Sequence, residues 1–274
     1  MRIFMFLLCL ASAELSAQSL SVMSYNIRLD TPHDSVNQWP LRNHKVYELI
    51  KKYDPDIIGL QEVLHHQLTD LLKNLPAYSH IGVGRDDGKT KGEYSAILYK
   101  RDKVKPLEQN TFWLSETPTV PGSKSWDAAI TRVASWGKFQ DLKSKKTFLM
   151  INTHFDHIGK EARKHSAALL KTKALEIAKG YPLIITGDFN TTREDAPYAT
   201  VMDPTGIVLH DPAGSNPPGT FCSFKVNSIE CRGIDYVFHS AEWDASGYKV
   251  INDNDGKYYP SDHLPVMVNL SLKK

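Results

Sequence analysis

Apolar positions along the chain alternate between helical spacing and short strand-like runs. Three segments, 41–53, 64–75 and 160–179, carry an apolar helical face and end at or just before a proline. Short apolar runs lie before, between and after them, at residues 20–27, 57–62, 95–100, 104–114, 134–141, 147–153, 182–186, 234–238 and 266–272. No repeat, low-complexity block or linker interrupts this order. The pattern predicts one mixed α/β domain over residues 18–274.

The first seventeen residues have the features of an export signal. Arg2 precedes the apolar run 3–10, and small residues follow, with cleavage sites after Ala13 or Ala17. The alternative is a buried first strand or helix, but its position at the N-terminus favours a signal peptide. No apolar run is long enough to span a bilayer. We therefore predict an exported protein, periplasmic or secreted.

Composition and charge narrow the class of partner. Lys and Arg number 33 and Asp and Glu number 31, a net charge of +2, so a protein that coats nucleic acid by charge alone is not indicated. A local basic groove that binds nucleic acid stays an alternative. After cleavage the cysteines are Cys222 and Cys231, which either pair in an oxidising compartment or remain free thiols. Their spacing does not resemble a zinc site.

Polar side chains recur where the predicted strands end. Carboxylates, carboxamides and two histidines make up this set, which suits a hard divalent cation such as Mg²⁺, Mn²⁺ or Ca²⁺. Such a set is equipped for phosphoryl chemistry, because a metal and cationic side chains offset charge on phosphate oxygens. The alternatives are ordinary turn or solvated residues. The residues are Asn26, Glu62, His154, Asp156, Asp188, Asn190, Asp235, Asp262 and His263.

Six segments in this order resemble the motifs of the endonuclease/exonuclease/phosphatase superfamily. They are SYNIR (24–28), GLQEV (59–63), THFD (153–156), GDFN (187–190), DYVF (235–238) and SDHLPV (261–266). Any one alone is weak, whereas six in order are strong. The resemblance covers residues 20–270 and implies a DNase I-like α/β fold. That fold is a four-layer sandwich of two packed mixed β-sheets with helices on the outer faces.

The resemblance implies roles for residues near the metal and the attacking water. Asn26, Glu62 and Asp262 would hold the metal, with Glu62 as its principal carboxylate. Asp188 would orient or deprotonate the water, and Asn190 would hydrogen-bond the scissile phosphate.

Further roles concern the phosphate. His263 and His154 would contact it, and Asp235 would hold the other ring nitrogen of His263 and favour the cation. Glu93 matches a position where a carboxylate pairs with the histidine at 154. Arg132 resembles an arginine that grips a phosphate oxygen. The resemblance assigns no role to Asp156, and His65, His66, His157 and His165 are interpreted as surface residues.

The predicted activity is that of an exported, metal-dependent phosphodiesterase, most similar to nucleases of the deadenylase type. GIDYVF (233–238) departs from the inositol 5-phosphatase signature. Trp113 and Trp136 either stack on bases or sugars, or pack in the core. A sphingomyelinase-like or phospholipase C-like enzyme, a glycan phosphodiesterase and a non-catalytic binding member are the alternatives; the nearest membrane wedge is residues 258–260. The sequence indicates no obligate protein partner.

Overall fold

The computed structural model describes residues 19–227 and 231–273, so the predicted signal peptide at 1–17 lies outside the described residues. Within those ranges the chain forms twelve strands, four α-helices and a short 3-10 segment, Pro32–Asn37. The helices are α1 (Trp39–Tyr53), α2 (His65–Asn74), α3 (Lys160–Ala178) and α4 (Ala196–Met202). The strands are β1 (Ser19–Asn26), β2 (Ile57–Val63), β3 (Tyr78–Ile81), β4 (Tyr94–Lys100), β5 (Val104–Trp113), β6 (Val133–Asp141), β7 (Thr147–His154), β8 (Leu183–Asp188), β9 (Leu209–His210), β10 (Asp235–Ser240), β11 (Trp243–Val250) and β12 (Val266–Leu272).

The strands form two mixed sheets of six. The first sheet has the order β11-β12-β1-β2-β4-β3, and the second has the order β5-β6-β7-β8-β10-β9. Among the described residues, each contains one parallel pair, β1 with β2 and β7 with β8, and its other strand pairs are antiparallel. In both parallel pairs, the two strands end at the same edge of the sheet, which brings the residues at their ends together.

The two sheets pack face to face, because alternate strand residues point to opposite sides. Val22 of β1 enters the core between the sheets, whereas its neighbour Met23 packs outward under α1 and α2. On the opposite side, α3 and α4 cover the second sheet through side chains such as Leu170 and Val201. The layers are therefore helix, sheet, sheet, helix, and the predicted four-layer sandwich is confirmed.

A buried polar network joins the sheets. The Asn152 amide on β7 donates to the Leu60 carbonyl at 2.8 Å and the Ala96 carbonyl at 2.9 Å, both on the first sheet. Its oxygen accepts from Gln61 at 2.7 Å and Thr186 at 3.0 Å. A Cβ atom at Gly59 would lie 2.0 Å from the Thr186 hydroxyl, so this close approach requires glycine.

Most predicted elements are present, and the differences lie at the margins. Helix α1 begins two residues earlier than predicted, because Pro40 is well suited to its first turn. Strands β3, β9 and β11 and helix α4 were not predicted. Cys222 and Cys231 form a disulfide, which resolves the pairing left open by the sequence. Among the described helices, none is long and apolar enough to cross a membrane.

Candidate active site

All ten residues predicted for the site lie at one edge of the sandwich, around a cavity of about 330 Å³. Asn26 and Glu62 come from the end of the first sheet's parallel pair, and His154 and Asp188 from the end of the second sheet's pair. Asn26 and Asp235 lie behind the cavity wall and bond to residues that line it. The other eight line the cavity: Glu62, Glu93, Arg132, His154, Asp188, Asn190, Asp262 and His263.

Asn26 links the two sheets at the site. Its side-chain nitrogen donates to Glu62 Oε1 and to Asp188 Oδ2, both at 3.0 Å. The Arg28 amide donates to its oxygen at 3.0 Å, and the Leu29 amide donates to Glu62 Oε2 at 3.1 Å. The fully buried amide of Asn26 therefore sets the separation of two carboxylates from different sheets.

The backbone of Glu62 is in the left-handed region, with φ at 60°. The pairing of β2 with β4 shifts register between Leu60 and Val63, and Glu62 lies in this irregularity. A non-glycine residue in this region costs about 1–2 kcal/mol, and such strain clusters at functional sites. The bulge directs the Glu62 side chain into the cavity, where its carboxylate meets Asn26.

His263 and Asp235 form the predicted contact. His263 Nδ1 lies 2.9 Å from Asp235 Oδ2, which also accepts from the Thr220 hydroxyl at 2.6 Å. The other ring nitrogen, Nε2, lies 3.7 Å from Asp188 Oδ2. Burial alone lowers the pKa of His263, but the charges of Asp235 and Asp188 outweigh burial and raise that pKa well above its ordinary value. The ring is therefore an imidazolium at neutral pH.

The pKa values of Asp188 and His154 are shifted in opposite directions. Burial, and then the charge of Asp235, raise the pKa of Asp188 to about 7, which suits a general base. Burial and the nearby Arg132 and Arg85 lower the pKa of His154 well below its ordinary value. His154 Nε2 accepts from Asn190 at 3.0 Å and lies 3.3 Å from Asp188 Oδ2. His154 is therefore a neutral imidazole at pH 7.

One group among the described residues has the spacing of a metal site. One ligand atom each from Glu62, Asp188 and His263 lie within 4.8 Å of one another. His263 Nδ1 is already bound to Asp235, and its Nε2 is turned toward Asp188. Carboxylate oxygens are hard donors, and they fit Mg²⁺, Mn²⁺ or Ca²⁺.

Asp262 and Arg28 lie beside this group. Asp262 is outside the three-residue cluster, but Arg28 connects it to Glu62: the guanidinium lies 3.8 Å from Asp262 Oδ2 and 3.7 Å from Glu62 Oε2. Arg28 is held by two hydrogen bonds to Asp34, at 2.8 and 2.9 Å. Its charge offsets the repulsion between two carboxylates that were both predicted to face a metal.

A second cluster, which we call the arginine cluster, consists of Arg85, Glu93, Arg132 and His157. Arg85 binds the Glu93 carboxylate at 2.7 Å, and Arg132 lies 4.0 Å from the other Glu93 oxygen. The carboxylate of Glu93 is thus shared by two guanidinium groups, and among the described residues the predicted pairing with His154 is not formed. That prediction is wrong because Arg85, which the sequence did not single out, competes for the carboxylate.

His157 and Asp156 have functions that sequence patterns did not identify. His157 is exposed, as predicted, but it lines the cavity and its Nδ1 lies 3.2 Å from Arg132 Nη2. Asp156 accepts hydrogen bonds from the backbone amides of residues 129, 130, 158 and 159, at 2.7–3.2 Å. It therefore anchors the two loops that flank Arg132 and His157. The close spacing of His154, Asp156 and His157 in the sequence was the signal that could have indicated their roles.

Arg42 is a further residue that sequence reasoning missed. This buried side chain donates to the carbonyls of Ile27 at 2.6 Å, Arg28 at 2.7 Å and Pro260 at 3.1 Å, and to that of Asn37 at 2.7 Å. The carbonyls of Ile27, Arg28 and Pro260 belong to the segments that carry Asn26 and Asp262. Arg42 therefore connects the two loops on either side of the carboxylates.

Comparison with known proteins identifies relatives of this chain. Residues 23–263 match the Endonuclease/Exonuclease/phosphatase family. An endonuclease/exonuclease/phosphatase structure from Bacteroides vulgatus has a TM-score of 0.89 and 39% identity, covering 93% of this chain and 100% of that chain. A mannosyl-6-phosphatase from Bacteroides thetaiotaomicron has a TM-score of 0.86 and 41% identity, covering 92% and 100%.

Among curated proteins, Nocturnin of Drosophila melanogaster is 22% identical over 95% of this chain. The alignment spans 48% of Nocturnin, so the chain corresponds to about half of that protein. The family match covers the first five motifs and the SDH of the sixth, and the sandwich and the carboxylate–histidine site fit it. The chain therefore belongs to the endonuclease/exonuclease/phosphatase family, whose members are phosphoric ester hydrolases.

Proposed function

We propose that the chain is an exported, divalent-metal-dependent phosphate ester hydrolase. The observation that carries this proposal is the buried cluster of Glu62, Asp188 and His263, within 4.8 Å of one another inside a cavity also lined by arginines. Carboxylate oxygens for a metal, an imidazolium and guanidinium groups are what hydrolysis of a phosphate ester requires.

In this proposal, Glu62 holds the metal with help from Asn26 and Asp262. The metal, when bound, supplies Lewis-acid charge at the phosphate oxygens and acidifies water. Asp188 accepts the proton of the attacking water, and its pKa of about 7 lets it exist as a base at neutral pH while remaining able to bind that proton. The 3.0 Å bond from Asn26 holds this carboxylate in place.

The remaining residues bind the phosphate. The imidazolium of His263 places a positive charge 3.7 Å from Asp188, next to the position of the attacked ester. Neutral His154 and Asn190 lie beside it, and the Asn190 amide donates to His154 Nε2 and to the Phe155 carbonyl, both at 3.0 Å. The positive charge of His263 stabilises negative charge that develops on phosphate oxygens in the transition state.

These groups can act on any phosphate ester, so the class of substrate is inferred from the rest of the cavity and from the relatives. A nuclease-like phosphodiesterase, as the sequence indicates, stays a prediction. Trp113 and Trp136 are 4% and 9% exposed and belong to the core, so neither offers a ring for stacking bases. Tyr259 and Pro260 are also buried and Tyr258 is half-buried, so residues 258–260, the nearest candidate for a membrane wedge, present little exposed apolar surface.

A phosphomonoesterase that acts on a sugar phosphate is therefore the second candidate, and we favour it. The mannosyl-6-phosphatase of B. thetaiotaomicron shares 41% identity with nearly the whole chain, whereas Nocturnin shares 22%. The cavity is compact, and most of its lining side chains are charged or polar, with one phenylalanine ring, Phe221, among them. Both features suit a small, polar ester.

Export is supported by two features of the sequence and its cysteines. The N-terminal apolar run is followed by small residues, and the Cys222–Cys231 disulfide is of a kind that persists in oxidising compartments. Mass spectrometry of protein purified from the periplasm or medium should give a chain that begins at residue 14 or 18. A full-length chain confined to the cytoplasm would contradict export.

The test of the activity is hydrolysis of a panel of esters with Mg²⁺, Mn²⁺, Ca²⁺ or EDTA. The panel contains mannose 6-phosphate, phenyl phosphate, bis(p-nitrophenyl) phosphate, single-stranded DNA, RNA and sphingomyelin. Asp188→Ala should lower turnover at least about a hundredfold with the fold intact, and Asp244→Ala on the exposed strand β11 is the matched control. Turnover that survives EDTA or Asp188→Ala would refute the proposed mechanism.

A further inference from the structure

Arg132 presents hydrogen-bond donors that no other described residue satisfies. The side chain is 5% exposed, and within residues 19–227 and 231–273 neither its Nε nor its Nη1 has a hydrogen-bond partner. The nearest carboxylates, of Glu93 and Asp156, are both 4.0 Å away. A buried polar group without a partner costs about 1–3 kcal/mol, and more when charged. Because Arg132 lines the cavity, these donors indicate a ligand group at this end.

Glu93 makes the arginine cluster a mixed site of donors and acceptors. Its carboxylate lines the cavity together with Arg132, and it is bound on one side by Arg85. The Glu93 carboxylate offsets the charge of one of the two guanidinium groups, so the cluster offers an acceptor beside its donors. A hydroxyl group both donates and accepts hydrogen bonds, and it can satisfy Arg132 and Glu93 together.

His157 adds a donor at the exposed side of the cluster. A guanidinium only donates, so the 3.2 Å contact with Arg132 Nη2 makes His157 Nδ1 an acceptor. In the neutral ring the hydrogen then resides on Nε2. The His157 ring is exposed and lines the cavity, so this N–H is available to a ligand.

We propose that the arginine cluster is a sugar subsite, which binds hydroxyl groups of the substrate while Glu62, Asp188 and His263 act on its phosphate. Arg132 and His157 donate to sugar oxygens, and Glu93 accepts from a sugar hydroxyl. His154 lines the same cavity and lies 3.3 Å from Asp188 Oδ2. The inference rests on the proposed sugar-phosphate phosphomonoesterase activity and assigns the residues that recognise the sugar.

The test compares two esters with the same enzyme and metal. The probes are mannose 6-phosphate, which carries hydroxyls, and phenyl phosphate, which carries none beyond the phosphate. We expect Arg132→Lys to lower the ratio of their kcat/KM values, mannose 6-phosphate over phenyl phosphate, by about tenfold or more. His157→Ala should lower it by about fivefold, in line with one lost hydrogen bond.

The controls keep the result interpretable. Arg132 is buried, so its variant requires a circular dichroism check, whereas His157 is exposed and its substitution leaves the core unchanged. His165→Ala, on the exposed face of α3 where the ring stacks on Trp126, should leave the ratio unchanged.

Three results would overturn the sugar subsite. An equal fall in kcat/KM for both esters would mean that the cluster binds the phosphate itself. An unchanged ratio in His157→Ala and a folded Arg132→Lys, with wild-type activity present, would refute the subsite while the proposed activity stands. Wild-type enzyme that hydrolyses neither ester with any metal, but cleaves a diester or nucleic acid, would overturn the phosphomonoesterase assignment and the subsite together.

Discussion

Replacement of Arg42 by methionine should destabilise the fold and weaken metal binding at the same time. The guanidinium is 1% exposed and donates to four backbone carbonyls, of which those of Ile27 and Pro260 are far apart in the chain but adjacent in space. Methionine retains most of the apolar volume of Arg42 but no donor. The variant therefore removes the hydrogen bonds while changing the packing against Trp39 and Phe224 little.

The magnitude follows from the number and kind of bonds. A hydrogen bond from a charged group contributes about 1.5–3 kcal/mol. Burial of the guanidinium opposes this with a penalty of several kcal/mol, and it lowers the pKa of Arg42. We expect a net loss of about 3–5 kcal/mol in the free energy of unfolding, by analogy with buried pairs that lose one partner. In a domain of this size, that loss lowers Tm by about 6–20 °C.

The assay has two readouts. Urea denaturation in EDTA gives the free energy of unfolding without metal, and calorimetric titration with Mn²⁺ below the unfolding transition gives the affinity of the site. Lys100→Met is the matched control, since Lys100 is another buried cation, bonded to the Asp54 carbonyl at 2.8 Å and to the Asp54 carboxylate at 2.8 Å. It should lower stability but leave Mn²⁺ affinity unchanged.

Two results would refute this reasoning. If Arg42→Met unfolds within about 2 °C of the wild type, the four bonds contribute no net stability. If Arg42→Met and Lys100→Met weaken Mn²⁺ binding equally, the effect is a general loss of stability and Arg42 does not specifically hold the two loops.

Three further predictions concern residues outside the cluster of Glu62, Asp188 and His263. Gly59→Ala should give little folded protein on expression, because its Cβ would lie 2.0 Å from Thr186 Oγ1; a soluble variant of wild-type Tm would contradict this. Cys222→Ser should lose about 3 kcal/mol of stability in urea denaturation by removing the bond to Cys231, and an equal loss on reduction of the wild type is the check. Burial raises the pKa of Asp156, but four backbone amides outweigh burial and lower it overall. Its stabilisation is therefore present above the ordinary pKa of about 3.9 and is lost as pH falls below it. The gap in unfolding free energy between wild type and Asp156→Asn should be larger at pH 6 than at pH 3, and a constant gap would refute the assignment.

The sequence predicted what depends on local pattern. Strand ends were visible as apolar runs that stop at Asn26, Glu62 or Asp188, and parallel pairing then brings such ends to one edge. Strand β11 was missed because its exposed edge position leaves most of its side chains polar or small, with no apolar alternation. Strand β9 has two residues and carries no periodic signal.

Other features depend on contacts between distant parts of the chain. In the sequence, Arg42 resembles an ordinary cation on a helix. Its hydrogen bond to the Pro260 carbonyl depends on a segment that is distant in the chain. The partner of Glu93 was misassigned because Arg85, in the loop just before it, reaches the carboxylate first. The positive φ of Glu62 arises from the pairing of β2 with β4 and has no signature in GLQEV.

The candidate site is divided between the two sheets, and this division links turnover to the last stage of assembly. Asn26 and Glu62 belong to one sheet and His154 and Asp188 to the other, so neither sheet alone has the full set. During refolding, hydrolysis should therefore appear only after the two sheets have docked, later than the circular dichroism signal of the strands. The appearance of hydrolysis during refolding therefore reports when the two sheets dock.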